Sequence, residues 1–292
     1  MSEDRRVRLQ TLLSSGGAFP VVKKSLIRVS GSDCVRYLNG QLTIDVLKLS
    51  TGRARSALLL TAKGKLCAPI WIWKDNDSLL LEVDECLLQE TLDRLEKYII
   101  SDDVTLTVLS PSSPVFHVFG TDTAPDDCLK IPRLGVEGFD TGHVPDAMLT
   151  ANPGEVEFLR ITRALPRWGL ELDSSILPQE AGLDVTSVDF DKGCYVGQEV
   201  VSRLKSVGRV NRRLQAFAGQ LDRTSREPLS LLLPDQPGKV AGVITSRCED
   251  LELAQTIALG YLNREFEDSS SFVVADADGN ALGNFDKRTI LT

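Results

Sequence analysis

From Val207 to the C-terminal end the chain breaks into short β-rich runs separated by turn residues, and this constrains its fold more than any other feature. The runs are Val207–Phe217, Leu229–Leu233, Lys239–Ser246, Ile257–Tyr261, Phe272–Ala275 and Ala281–Phe285. Short strands at this spacing predict a small all-β barrel or sandwich closing the chain.

The pattern upstream is different. Leu26–Val29 reads as a strand, and Ser30-Gly31-Ser32-Asp33 as a turn that caps a helix from about Cys34 to Asn39. Ala57–Thr61 and Leu66–Trp73 are strand-like, joined by the hairpin-type turn Ala62-Lys63-Gly64-Lys65, and Pro69 calls for an edge or a bulge in the second of them. Ser78–Val83 is a further strand. Leu87, Leu88, Leu92, Leu95 and Ile99 recur at helical spacing, with Asp84 as N-cap and an end near Tyr98. Val104–Leu109 alternates as a strand. This order predicts an α+β lobe. Pro111–Pro153 is rich in Pro, Gly and Asp and predicts a smaller second lobe, with short strands at Val115–Phe119 and Leu129–Pro132. Glu155–Ala164 reads as a helix stopped before Pro166. The expected division is therefore residues 1–205, two α+β lobes, and residues 206–292, the barrel.

Length and charge narrow the function. A chain of 292 residues is longer than one compact core usually uses. Its formal net charge of -8 argues against a general electrostatic footprint for nucleic acid. The start, M-S-E-D-R-R-V-R, lacks the apolar region of a secretory signal, and no run reaches the length of a membrane span. None of the six cysteines forms a C-x-x-C pair, and none lies at zinc-ligand spacing from His117 or His143. The expectation is a cytoplasmic protein with reduced thiols, no metal site, and no Cys-His or Ser-His-Asp catalytic system.

The stretch Asp191–Ser202, D-K-G-C-Y-V-G-Q-E-V-V-S, is too dense in special residues for a plain core segment. A thiol acts as nucleophile or ligand only as thiolate, and nearby positive charge or helix N-terminal N–H groups lower its pKa. Lys192 is placed to supply the charge to Cys194. Gly193 and Gly197 permit positive φ or close approach of another group. Gly197-Gln198-Glu199 can open a short helix, with Glu199 favoured in its first turn. The alternative is a tight turn whose small cysteine packs like an alanine. The basic run Arg203, Lys205, Arg209, Arg212 and Arg213 either holds carboxylates or phosphates or is a solvated face of an acidic protein. Trp71, Trp73 and Trp168 line a flat-ligand pocket or belong to the core.

Lys192–Glu199, K-G-C-Y-V-G-Q-E, resembles the signature of the YgfZ family of folate-binding proteins, relatives of the glycine-cleavage T protein that act in iron–sulfur cluster assembly or repair. Other blocks agree in order. Tyr37–Val46 (Y-L-N-G-Q-L-T-I-D-V) resembles the family's F-L-x-G-Q-L-T-x-D-V, and Lys63-Gly64-Lys65 its K-G-K/R turn. Arg160–Pro166 resembles the stretch before the signature. Ala241–Ser246 and Ala258–Leu262 resemble the C-terminal barrel shared with the T protein.

The resemblance implies an α+β, three-lobed T-protein-like ring of ferredoxin-like lobes with a C-terminal β-barrel and folate in a central hole. The implied cofactor is tetrahydrofolate or a derivative. The implied partners are iron–sulfur client enzymes, such as those that thiomethylate tRNA, or cluster carriers, with no direct nucleic-acid contact and no membrane. It places Cys194 and Lys192 at the chemistry and Gly193, Tyr195, Gly197, Gln198, Glu199 and Arg203 at the cofactor. Two departures matter. True aminomethyltransferases of the T-protein type carry an acidic pair just after the K-G-K turn, where this chain has Leu66-Cys67-Ala68-Pro69; without a carboxylate there, aminomethyl transfer is disfavoured. Lys24 and Val156 align near positions where some members place tryptophans against the pterin, which leaves Trp71, Trp73 or Tyr195 for that contact. The alternatives are a one-carbon transferase and a scaffold that kept the fold without the ligand.

Overall fold

Alternation of apolar and polar residues along the C-terminal runs demands an enclosed apolar interior, and the computed structural model supplies it as a closed barrel. The described residues are 2–110, 114–121, 124–125, 128–146, 148–206, 208–222, 228–250 and 253–288. The helices are α1 (Ser2–Ser15), α2 (Cys34–Gln41), α3 (Leu88–Glu96), α4 (Pro153–Thr162) and α5 (Gln198–Ser206). The strands are β1 (Gly17–Val21), β2 (Lys24–Ser30), β3 (Arg55–Leu60), β4 (Leu66–Asp75), β5 (Ser78–Asp84), β6 (Thr105–Leu109), β7 (Val115–Phe119), β8 (Leu129–Lys130) and β9 (Gly138–Thr141). They continue as β10 (Arg212–Leu221), β11 (Leu229–Leu233), β12 (Gln236–Asp250), β13 (Gln255–Asn263), β14 (Ser271–Ala275) and β15 (Ala281–Arg288).

The barrel runs β10-β13-β12-β11-β14-β15 and closes by pairing β15 with β10. Phe217, Leu229, Leu231, Phe272, Val274 and Phe285 fill it. The Phe217 and Phe272 rings meet edge to face, with centroids 5.8 Å apart. Each such side chain contributes roughly 1.5–3 kcal/mol by leaving water, and closure removes the exposed edges an open sheet would present. The strand expected from Val207 begins at Arg212. Helix α5 continues to Ser206 and is followed by a Gly208 N–H to Arg203 carbonyl bond; Val207 itself lies outside the described residues.

The chain forms two compact units. One gathers Met1–Gly16, Ala151–Leu172 and Val210–Thr292, and so joins α1 and α4 to the barrel. The other gathers Gly17–Thr150 and Asp173–Arg209. In the second unit an antiparallel five-stranded sheet is ordered β3-β4-β5-β2-β6 and a four-stranded sheet β1-β7-β9-β8. Pro69 fits β4 for a local reason: the β4–β5 ladder starts only at Trp71, so Pro69 faces no β5 neighbour, and the β3–β4 register shifts beside it. Tyr37 of α2 donates its hydroxyl to the Leu95 carbonyl of α3 at 2.5 Å. Asp33 and Asp84 make no side-chain cap bonds. Asp33 accepts the Asp103 N–H instead, Asp84 pairs with Lys24, and a short 3-10 turn Glu85–Leu87 precedes α3. Helix α4 starts with an Asn152–Glu155 capping box and ends at Thr162. Of the second-lobe segment, Pro111–Ser113 lie outside the described residues.

The two sheets of this unit are tied by a buried ionic cluster. Arg133 donates to both oxygens of Glu82 on β5 at 2.5 and 2.6 Å, and to Asp140 on β9. Asp140 also meets Nδ1 of His117 on β7 at 3.0 Å. Burial opposes the Arg133 charge, but its bonds to Glu82 and Asp140 outweigh that and raise its pKa.

Candidate functional site

A loop that must project a reactive side chain needs its neighbours fixed, and the segment around Cys194 is fixed from below by a buried lysine. Lys192 is 8% exposed. Its Nζ donates to the carbonyls of Asn39 at 2.6 Å and of Leu42 and Ile44 at 2.7 Å each. Three carbonyls use the three donors of an ammonium. The Tyr37–Val46 block read separately in the sequence is therefore the seat of the signature. The seat holds itself in shape: Asn39 accepts the Val46 N–H at 3.0 Å, and Thr43 accepts the Leu58 N–H at 2.9 Å. Asp189, just before the signature, accepts the Asp45 N–H at 2.7 Å and takes Arg55 in a two-point pair at 2.9 and 2.8 Å. Burial drives the Lys192 pKa down to about 8, against the pull of Asp45 and Asp189. Lys192 makes no bond to the thiol; its ammonium sits 5.2 Å from the centre of the Tyr195 ring.

The other end of the signature is fixed by backbone contact. Gly197 has φ +89°, and a Cβ on it would lie 2.6 Å from the Thr61 carbonyl and 3.2 Å from Gly64 Cα. Gly64 has φ +73°, and its own Cβ would lie 2.9 Å from Val200 Cβ. Only glycines allow the β3–β4 turn and the start of α5 to come this close. Gly193 is different: it is exposed, its φ is not positive, and a Cβ there would meet nothing.

Between these anchors Cys194 is exposed, whereas Cys34 and Cys67 are buried. Tyr195 is buried beside it, its hydroxyl has no partner among the described residues, and burial pushes the phenol up to about 12. Gln198 opens α5 and donates its N–H to the Tyr195 carbonyl at 3.2 Å. Glu199 lies in the first turn and pairs with Arg203 at 2.7 Å on the open face of the helix. Lys205 covers the Phe190 ring at 3.6 Å. In the barrel unit, Arg212 stacks over Tyr261 at 4.7 Å and Arg213 is exposed. Arg203 and Lys205 are thus engaged within their own unit, and Arg212 within the barrel unit. Trp71 and Trp73 are half-buried on one face of β4, and Trp168 is half-buried in the barrel unit. Where an acidic pair would stand, Cys67 and Ala68 are buried, and burial raises the Cys67 thiol pKa despite the nearby Arg94.

Sequence reasoning passed over Gln179, which is buried, donates Nε2 to the Val201 carbonyl of α5 at 2.9 Å and leaves its Oε1 without a partner among the described residues. It also passed over the Arg133 cluster, though the carboxylate in the apolar strand S-L-L-L-E-V was a signal for it. Among the described residues no group of three or more His, Cys, Asp or Glu is arranged to hold a metal, and no helix is long and apolar enough to cross a membrane.

No family model matches the chain. It is 26% identical over 294 residues, 88% of each chain, to the tRNA-modifying protein YgfZ of Sodalis glossinidius. It is 25% identical over 310 residues, again 88% of each chain, to the protein of the same name from Escherichia coli. The chain is similar to YgfZ proteins over most of its length. A further relative is the mitochondrial iron–sulfur cluster assembly factor IBA57 homolog of Pyricularia oryzae, 27% identical over 68% of this chain and 57% of that one. Among solved structures, aminomethyltransferase T of the glycine cleavage system from Bartonella henselae superposes with a TM-score of 0.77 over 96% of this chain and 88% of that one, at 16% identity. The chain therefore has the T-protein fold, ending in a closed six-strand barrel.

Proposed function

We propose that this chain is a cytoplasmic YgfZ-type factor that supports iron–sulfur enzymes of tRNA modification, and that it binds a reduced folate near the signature. The observation that carries the reading is the exposed thiol of Cys194, held between the Lys192 anchor and the Gly64–Gly197 contact. The names and lengths of its relatives support the pathway. The absence of a carboxylate at Cys67–Ala68 weighs against aminomethyl transfer.

The residues present fit a folate in one respect. The buried Tyr195 hydroxyl is an unused hydrogen-bonding atom of the kind a pterin edge would satisfy, and the half-buried Trp71 and Trp73 offer flat apolar faces. When bound, a reduced folate supplies one-carbon and reducing chemistry. The chain's own parts have separate tasks. Lys192 positions the loop, since its charge is satisfied by carbonyls and not by the thiol. Cys194, as thiolate, is the group that meets a cluster or a client, with the cluster as cargo. Tyr195 orients the ligand through its hydroxyl.

The test is complementation of a strain lacking its own YgfZ-type protein, read as tRNA thiomethylation. Wild type restores the modification and Cys194→Ala does not. Full restoration by Cys194→Ala sinks the reading of the thiol. Titration of tetrahydrofolate under anaerobic reducing conditions tests the ligand separately: no saturable binding moves the protein to the scaffold reading.

A further inference from the structure

Around helix α4, the carboxylates Glu155, Glu157 and Glu171 are each taken. Glu155 pairs with Arg8 at 2.9 Å and closes the capping box. Glu157 pairs with Arg160 at 2.7 Å and Arg167 at 3.0 Å. Glu171 receives Arg160 at 2.9 Å, the Arg167 N–H at 3.0 Å, the Thr245 hydroxyl at 3.0 Å and the Ser246 hydroxyl. Arg163 is left over. Arg163 is half-buried as a residue, its Nη1 is buried with no hydrogen-bond partner among the described residues, and no carboxylate among them pairs with its guanidinium. Burial alone acts on it, pulling its pKa below the ordinary arginine value. Arg160, one turn earlier, shows what a structural arginine looks like here: two carboxylates, the Ser246 hydroxyl and the Leu165 carbonyl satisfy it.

The backbone that carries Arg163 is held firmly. The Arg163 N–H bonds to the Leu159 carbonyl at 3.3 Å, Ala164 to Ile161 at 3.0 Å and Leu165 to Arg160 at 3.0 Å. Ala164 takes φ 50° to close this cap, a position usually given to glycine. A buried cationic N–H with no acceptor is unfavourable unless something supplies one. Placed on a rigid cap, it is preorganised to receive an anion.

We infer that Arg163 is a binding site for the carboxylate of a small-molecule ligand. One planar fork matches one carboxylate, whereas a phosphate dianion would call on more than one free cation, and Arg160 and Arg167 are already paired. The formal net charge of -8 disfavours a polyanion such as nucleic acid at this site. The inference stands apart from the folate reading, because it holds for any ligand that presents a carboxylate.

The experiment is calorimetric titration of the full chain with glutarate and, separately, inorganic phosphate at matched ionic strength. Wild type, Arg163→Gln and Arg163→Lys are compared. The expected result is saturable glutarate binding to wild type, weakened by about tenfold or more in Arg163→Gln, with Arg163→Lys between them. Ligand-free thermal melts give a second readout. Removing an unpaired buried charge leaves the melting temperature of Arg163→Gln equal to or above wild type, whereas breaking a structural pair would lower it. Equal glutarate binding in all three proteins, no binding to wild type, tighter binding of phosphate than glutarate, or a lowered melting temperature in Arg163→Gln would each overturn the assignment.

Discussion

Two buried cations organise the unit that carries the signature, and they are neutralised in opposite ways. Arg133 sits between two carboxylates, with His117 as the last member of its cluster. Lys192 sits among three neutral carbonyls, with Asp45 and Asp189 acting only at longer range. The first arrangement joins two sheets and is balanced by charge. The second holds one loop and is balanced by dipoles. A joint between sheets can be rigid and inert; a loop bearing a thiol needs an anchor that fixes position without placing a carboxylate beside the sulfur.

The comparison breaks most visibly at Arg133. Arg133→Met strands Glu82 and Asp140 as buried charges and is expected to cost about 3–5 kcal/mol in urea unfolding. Lys192→Met leaves only carbonyls unpaired and relieves the burial of a charge, so the expected loss is smaller, about 2 kcal/mol. On the proposed function, its sharper expected effect is loss of support for tRNA thiomethylation while the protein stays folded. If both variants lose the same stability, the distinction between the two cations fails.

Gly197→Ala comes next. Its methyl group collides with the Thr61 carbonyl in a left-handed backbone, for a loss of roughly 1–3 kcal/mol, whereas Gly193→Ala is expected to change stability by about 0.5 kcal/mol or less. Circular-dichroism melts of the two alanine variants decide it.

Acid probes the Arg133 cluster through His117. Burial lowers the His117 pKa below its ordinary 6.5, so the unfolded chain takes up a proton that the native one refuses. Stability from this group is complete above pH 6.5 and falls as pH drops below it. The buried Asp140 is held below the usual carboxylate range by His117 and Arg133 against its own burial, so it contributes no loss at pH 5. The melting temperature of wild type should drop between pH 7 and pH 5 by more than that of His117→Gln; parallel drops would show that the histidine is indifferent.

The smallest effect is expected at Arg203→Ala. In the Glu199–Arg203 pair the side chains are exposed at 82% and 68%, and such pairs contribute about 0.5 kcal/mol or less. A large loss of folate binding in that variant would restore Arg203 to the ligand.

Local patterns in the sequence carried much of this. The short runs after Lys205 encode the barrel because alternation and turn residues are local signals, and Gly197-Gln198-Glu199 opens a helix as its composition predicts. Helix α1 went unread because its opening M-S-E-D-R-R-V-R shows no apolar stripe, and its burial rests on Leu9 and Leu12. In the site, the constrained Gly197 follows from the glycine pattern, whereas spacing alone leaves Cys194 open between a reactive thiol and a packed one, and the fold exposes it. The destination of Lys192 does not: its acceptors are backbone carbonyls distant in sequence, and carbonyls belong to every residue alike. The solitude of Arg163 is likewise invisible in sequence, since it depends on which neighbours have already been claimed.

The contact between Gly64 and Gly197 ties the fate of two distant codons. A side chain at either position displaces the same piece of backbone, so no change at one site can compensate for a change at the other. Both glycines also take a left-handed backbone, so each stays required whatever stands at the other, and across a library of random variants the two positions should be intolerant together.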